Sequence, residues 1–348
     1  MSWHGIDGHD HVVEQFRRAI GRGRLASSFL FAGPAGIGKC SFAVKLAQAM
    51  LCRTRPEAAL DPCGTCPSCA QVAAGTHPDL DIICKPEGKA VIPLALLIGD
   101  DEHRRQEGLC HNLSLKPAIG GRKIAIIDNA DFLNAQGANA LLKTLEEPPP
   151  RSVLMLIGTS PAKQLPTIRS RCQLIRFRPL PIDVVASLLV SKQLVADPAE
   201  AERLARYSEG SVAKAQELSD PDLWKFRHTL HERLASPALD SAGFSPSVAA
   251  FIDEAGKEAP LRRARFRQIV AFAADFYRQL LLAQNGAAAS ADHELQSHIA
   301  RAMQAGMTDP WVTAWRLDRC LDAAAQIDRN ANQATLVECW IDDLARGG

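Results

Sequence analysis

The chain has 348 residues, 47% of them apolar, which is enough for two or three domains and a sizeable core. Forty Lys and Arg against 39 Asp and Glu leave a net charge of +1, so capture of nucleic acid by bulk electrostatics is excluded and any such contact must be local or made through partners. No apolar run reaches about 18 residues and Met1-Ser2-Trp3-His4 starts no charged-then-apolar leader, so the expectation is no membrane span, no export and a reducing cytoplasmic setting, in which the ten cysteines are thiols or metal ligands.

In chain order, residues 7–25 are expected to form a helix with Val12, Val13, Phe16 and Ile20 on one face, ending at Gly21-Arg22-Gly23. The apolar run Phe29-Leu30-Phe31-Ala32 has the length of a buried strand and empties into Gly33-Pro34-Ala35-Gly36-Ile37-Gly38-Lys39. Phe42, Leu46, Ala49 and Met50 then share one face of a helix. Strand, glycine loop and helix make a phosphate loop: Gly33, Gly36 and Gly38 let backbone N–H groups wrap an anion, Lys39 supplies a point charge, and the helix N-terminus adds its dipole. The next position calls for a Ser or Thr hydroxyl to hold Mg²⁺ beside ATP, but here it is Cys40, a soft thiol. Either Ser41 substitutes, or the metal is held weakly.

Cys52 precedes Cys63-Gly-Thr-Cys66-Pro-Ser-Cys69, and four thiolates so spaced converge on one tetrahedral Zn²⁺ with no open position. Such a zinc is structural, a staple for an insertion too polar to build its own core. A strand follows within residues 76–83, and the charged stretch 99–109 is expected to be an exposed helix. The strand Ile124–Ile127 ends in Asp128, placed to orient Mg²⁺ and its waters, but its neighbour is Asn129, an amide that cannot take a proton from water. A helix at 139–147 carries Lys143, Glu146 and Glu147 as either a solvated face or an interface. Val153–Gly158 is a strand that presents Thr159 at its carboxyl end, a helical segment at 163–168 leads to Arg169-Ser170-Arg171-Cys172, and a last strand spans 173–177.

Beyond Pro181 only helices are expected: a small unit over 182–220, then alanine-rich helices at 222–236, 245–256, 260–285, 290–305 and 311–345. Phe266, Ile269, Phe272, Phe276 and Leu280 mark an apolar face whose use is packing, within the chain or against other chains.

Gly33-Pro-Ala-Gly-Ile-Gly-Lys39, Cys63-Gly-Thr-Cys-Pro-Ser-Cys69, His77-Pro-Asp79, Ile127-Asp128, Asn139-Ala-Leu-Leu-Lys-Thr-Leu-Glu-Glu-Pro-Pro149 and Ser170-Arg171-Cys172 together resemble the AAA+ subunits of the bacterial DNA polymerase III clamp loader. The resemblance implies an α/β fold: an AAA+ phosphate-loop domain with a parallel sheet at 1–180, a zinc insertion at about 52–75, a helical lid at 181–221 and an all-α collar domain at 222–348. It implies a place in a hetero-pentamer with gamma/tau and delta subunits, part of the DNA polymerase holoenzyme, that sets a sliding clamp on primer-template DNA. Motor subunits of the family carry Thr after the lysine and a full Asp-Glu pair; Cys40, Asn129 and the stop at 348 resemble instead the delta-prime branch, a stator with little or no ATPase activity. Arg171 matches the arginine finger that reaches a neighbour's ATP, Thr159 the first sensor, and Lys214 is an offset candidate for the second. Two rival readings are an active gamma-like motor using Ser41, and a zinc-dependent nucleic-acid-binding module. The second is disfavoured by the near-zero charge and the lack of aromatic and basic residues around Cys63–Cys69.

Overall fold

Five parallel strands in the order β2-β3-β4-β1-β5 form the frame of the first of two units in a computed structural model that describes residues 3–104, 106–119, 121–287 and 292–346. The units divide at Ser219/Asp220. In the first, α1 (Asp10–Gly21) precedes β1 (Ser28–Ala32) and α2 (Lys39–Leu51). After α3 (Pro67–Ala73) come β2 (Leu80–Ile83), α4 (Leu94–Ile98), α5 (Leu109–Ser114) and β3 (Lys123–Ile127). Then follow α6 (Ala135–Glu146), β4 (Ser152–Gly158), α7 (Pro166–Arg169) and β5 (Gln173–Arg176), and three helices close the unit: α8 (Ile182–Ser191), α9 (Pro198–Tyr207) and α10 (Val212–Glu217).

The central strands β1, β3 and β4 are buried along their whole length, as a parallel sheet covered on both faces requires, and only the edge strands β2 and β5 alternate with solvent. Because side chains alternate across a strand, Phe29 and Phe31 of β1 leave one face and Leu30 the other. The phenylalanines meet Phe16 of α1, Phe42 of α2 and Phe177, with ring centroids 4.9 Å apart for Phe16–Phe29 and 5.2 Å for both Phe31–Phe177 and Phe42–Phe177. On the opposite face Leu30, Ala125, Ile127, Leu154 and Leu156 pack with Leu97, Leu109, Leu113, Leu141 and Leu145 of α4, α5 and α6.

The His77-Pro78-Asp79 turn locks α3 to the sheet edge. Asp79 donates its backbone N–H to His77 Nδ1 (3.0 Å), so His77 Nε2 carries the proton and donates to Ser68 Oγ (2.7 Å), whose hydroxyl in turn donates to Leu51 O (2.7 Å). The Asp79 carboxylate, wholly buried, accepts from the N–H groups of Ala118 (2.6 Å) and Ile119 (3.0 Å) and faces Lys123 Nζ at 3.4 Å. Burial raises its pKa, but the two amides and Lys123 outweigh burial and hold it below the usual carboxylate value.

The stretch 99–109 is not the expected helix. Gly99 and Gly108 have φ of +80° and +87° and pass so close that a Cβ on Gly108 would lie 2.6 Å from Gly99 N, so the segment is a loop pinched shut at its ends, and helix resumes only at Leu109. Arg105 lies outside the described residues.

The second unit holds α11 (Pro221–Leu234), α12 (Ser241–Asp253), α13 (Ala259–Gln284), α14 (His293–Gln304), α15 (Pro310–Asp328) and α16 (Gln333–Arg346). The long α13 buries Phe266, Ile269, Phe272, Phe276 and Leu280, the face read from the sequence, against its neighbours. Ser290 and Ala291, at the start of the helix expected over 290–305, lie outside the described residues. The single helix expected over 311–345 is two: Asn330 at φ +61° ends α15, and Asn332 Oδ1 accepts the Thr335 N–H (3.2 Å) to start α16, whose Trp340 then packs on Phe266.

Removing the Asp79 carboxylate strands two buried N–H groups and a lysine, so Asp79→Ala is expected to cost about 3 kcal/mol, read as faster hydrogen exchange in β2 and β3. As a carboxylate with a depressed folded-state value, Asp79 contributes stability above its unfolded value of 3.8, and that share disappears as pH falls through the lower folded value.

Candidate functional site

The loop between β1 and α2 is clamped on three sides. A Cβ on Gly33 would lie 2.4 Å from Phe177 O, and one on Gly36 (φ +72°) would lie 2.3 Å from Ser211 Oγ and 2.6 Å from Ala213 Cβ, so only hydrogen fits at either place. The lid helix α10 therefore sits directly on the loop, with Val212 N–H donating to Gly36 O (3.2 Å). From the other side His9, a residue that carried no signal in the sequence, donates through Nε2 to Ile37 O (2.7 Å), and burial lowers its proton affinity, so the ring stays neutral. Gly38, at φ +91°, turns the chain into α2 and leaves the N-terminal N–H groups facing a cavity of about 790 Å³.

That cavity brings together Gly36, Gly38, Lys39, Cys40, Ser41, Asp128 and Thr159; Gly33 lies behind it, against Phe177. Ile6, Leu180 and Leu188 make an apolar wall suited to a flat ring, while Lys163 and Lys192, which carry no motif signal, add two ammonium groups. Lys39 is only 6% exposed, and its Nζ donates to Gly33 O (2.7 Å) and Pro34 O (2.5 Å), the carbonyls of its own loop. Burial lowers its proton affinity, with Asp128 and Asp131 pulling the other way.

At the metal position the Cys40 thiol is pushed up to about 12, first by burial and then by the Asp128 carboxylate beside it. A thiol so firmly protonated offers Mg²⁺ no anionic ligand. Ser41, one residue on, is turned about 100° around the helix. Asp128 Oδ1 accepts the Asn129 N–H (2.8 Å), and Asn129 sits at φ +56°, a left-handed conformation that asparagine tolerates better than most residues. Thr159 is not a free sensor: its hydroxyl donates to Asp131 Oδ2 (2.5 Å), as does its N–H (2.8 Å), while Gln164 holds Asp131 Oδ1 (2.7 Å). Thr159 lines the cavity with its hydroxyl proton committed to Asp131.

Lys214, the offset candidate for the second sensor, points away: its Nζ pairs with Glu209 (2.6 Å), and Ala213 occupies the cavity wall instead. One residue along α10 is enough to turn a side chain out of the site.

Arg171 lies outside this cavity, at the end of α7. Its guanidinium pairs with Glu146 Oε1 (2.7 Å) and donates to Thr167 O (3.0 Å), with a third of the side chain exposed. Glu146, read from sequence as solvated face or interface, thus holds the arginine within its own chain.

Cys52, Cys63, Cys66 and Cys69 bring their sulfurs within 4.8 Å of one another. Sulfurs about 2.3 Å from a tetrahedral zinc lie about 3.8 Å apart, and Cys63 and Cys69 already stand at 3.9 Å. Backbone N–H groups of Cys66 and Cys69 donate to Cys63 Sγ (3.3 Å) and Cys66 Sγ (3.4 Å), and Gln48 Nε2 ties Cys69 O to α2 (2.8 Å). The donor set and spacing can hold a thiophilic metal. The Thr54 hydroxyl, then the N–H groups of Cys66 and Thr65, hold Cys63 down at about 5; burial raises Cys69 to about 12. Cys52, though burial opposes it, is held at about 7 by the Thr54 hydroxyl and nearby N–H groups.

A phosphate loop at the carboxyl edge of a five-stranded parallel sheet, with a helical lid seated on it, defines a protein of the AAA+ phosphate-loop class. Residues 8–181 match the family model described as "DNA polymerase III, delta subunit", and the chain belongs to this family of clamp-loader subunits. It is 41% identical over 199 residues to DNA polymerase III subunit delta' of Pseudomonas aeruginosa, a match covering 57% of each chain. It is 31% identical over 242 residues to subunit delta' of Bacillus subtilis, covering 67% of this chain and 68% of that one. To subunit tau of Escherichia coli it is 33% identical over 219 residues, covering 62% of this chain and 32% of that one. The alignment thus spans little more than half of the Pseudomonas relative. No helix among the described residues is long and apolar enough to cross a membrane.

Alkylation of the metal-free protein is expected to follow thiolate content: Cys63 reacts already at about pH 6, Cys52 joins near neutrality, and Cys69 and Cys40 stay slow. Iodoacetamide labelling read by peptide mass spectrometry across pH checks this order.

Proposed function

We propose that the chain is the delta-prime subunit of the DNA polymerase III clamp loader, a stator that works beside gamma/tau and delta subunits to place the sliding clamp on primed DNA. The observation that carries this reading is a complete phosphate cavity whose chemistry is disabled at successive positions. The metal position holds a protonated thiol, Asn129 stands where a water-activating acid belongs, and Ala213 lines the lid wall. The loop lysine is held by its own carbonyls, so a phosphate would have to displace two hydrogen bonds to gain its charge. Nucleotide binding is accordingly weak and hydrolysis negligible. Similarity to two delta' subunits supports the assignment.

The residue that acts in this reading is Arg171, reaching a neighbouring subunit's ATP as an arginine finger. A partly exposed ion pair such as Arg171–Glu146 is worth about 0–1 kcal/mol, so a phosphate presented by a neighbour draws the guanidinium away at little cost. Cys52, Cys63, Cys66 and Cys69 hold one structural zinc, which staples the insertion between α2 and β2. The all-helical second unit serves in assembly. Its apolar helix faces and the chain's net charge of +1 favour protein partners over direct capture of DNA.

Reconstitution of the loader with Arg171→Ala is the test. The expected outcome is normal assembly, a partial loss of total ATP turnover and a severe loss of clamp loading, since a finger contributes about 10³–10⁵ in rate at the one site it serves. Failure to assemble makes Arg171 a structural contact, and unchanged loading removes it from the mechanism. The isolated chain should show no turnover above background; motor-like turnover abolished by Lys39→Ala would instead identify an active ATPase.

A further inference from the structure

We infer that the second unit carries a separate metal site, formed by His228 of α11 with Glu294 and His298 of α14, which takes a borderline divalent cation such as Zn²⁺. A ring nitrogen of each histidine and a carboxylate oxygen of Glu294 lie within 4.8 Å of one another. Glu294 and His298 are four residues apart on one helix and so lie on the same face, and the facing helix brings His228 Nδ1 to 2.6 Å from Glu294 Oε1. His298 supplies the independent sign of a missing ligand. It is 1% exposed, and among the described residues it is the histidine with both ring nitrogens buried and without any hydrogen-bond partner. A core imidazole normally satisfies at least one nitrogen, because a buried polar group without a partner is costly.

The ring of His298 stands 5.0 Å from that of His228, nearly perpendicular, so the two share a corner without stacking. Arg227 organises the acids: one of its guanidinium nitrogens holds Asp292 Oδ2 at 2.6 Å and the other stands 3.6 Å from Glu294 Oε2, while Glu294 Oε1 shares a proton with His228 Nδ1 (2.6 Å), which a metal bound between them would replace. Ligands about 2.0–2.1 Å from a tetrahedral zinc lie about 3.4 Å apart, a spacing that the exposed side chains of His228 and Glu294 reach by small rotations while buried His298 stays in place. Two imidazoles and one carboxylate make a set suited to zinc, with water as fourth ligand. His231 stays outside: its Nε2 faces Phe272 O at 3.3 Å.

The test uses the untagged full-length protein, stripped with chelator and titrated with Zn²⁺ alone, with stoichiometry read by calorimetry and elemental analysis. Two equivalents per chain are expected, one of them insensitive to Cys66→Ser. The exposed substitutions His228→Ala and Glu294→Gln should each weaken that equivalent at least about 100-fold and leave the cysteine-bound one unchanged. His298→Ala is secondary, because that side chain is buried. With Co²⁺ in place of Zn²⁺, the second equivalent should lack the thiolate-to-metal charge-transfer band of the first. A single equivalent lost in Cys66→Ser, a second that survives both exposed substitutions, or a second that carries the thiolate band would each overturn the site.

Discussion

Everything at the functional end of the first unit depends on two places where no side chain fits. A methyl at Gly33 would strike the Phe177 carbonyl and one at Gly36 would strike Ser211 and Ala213, so sheet, loop and lid are seated at backbone contact distance. This seating lets Val212 bond to Gly36 O and closes the cavity from above. It also presses the chain around Lys39, whose ammonium is nearly enclosed and satisfied by the two loop carbonyls at hand. The loop is thus held in shape by the protein itself.

A site preorganised in this way has little need of a nucleotide to keep its form, which suits a subunit that contributes geometry more than turnover. The neighbouring groups point the same way. Asp131 is not left to a metal but is saturated by the Thr159 hydroxyl and N–H and by Gln164, and Asp128 faces a thiol that will not ionise. Arg171, by contrast, is held by a partly exposed carboxylate, a carbonyl and the neighbouring Ser170 hydroxyl, contacts weak enough to exchange for a stronger anion.

The cysteine insertion is tied to the sheet by ordinary hydrogen bonds as well as by any metal. Ser68, His77 and Asp79 form a relay from the Leu51 carbonyl to the edge of β2, and Gln48 reaches Cys69 O from α2. This explains a His-Pro-Asp sequence that looks chemical but is structural: the His77 and Asp79 side chains are buried and have their polar partners within the fold.

Elements that announce themselves through local composition were legible in the chain. These were the phosphate loop with its flanking strand and helix, the strand that ends in Asp128, the four cysteines, and the apolar face from Phe266 to Leu280. Each rests on spacing or glycine chemistry, which act over a few residues. The pinched loop at 99–108 was hidden because its cause is the meeting of Gly99 and Gly108, and the break at Asn330 because a helical pattern resumes at once beyond it. The lid was legible only as helix: which residue of α10 faces the loop is set by the approach of Ser211 and Ala213 to Gly36, and that placed Ala213 in the cavity and sent Lys214 to Glu209. His9, Lys163 and Lys192, like the pairing of Arg171 with Glu146, join residues far apart in sequence. Such pairings have no local signature, because which side chains meet is decided by how strands and helices pack, and residue spacing records only the face each side chain takes on its own element.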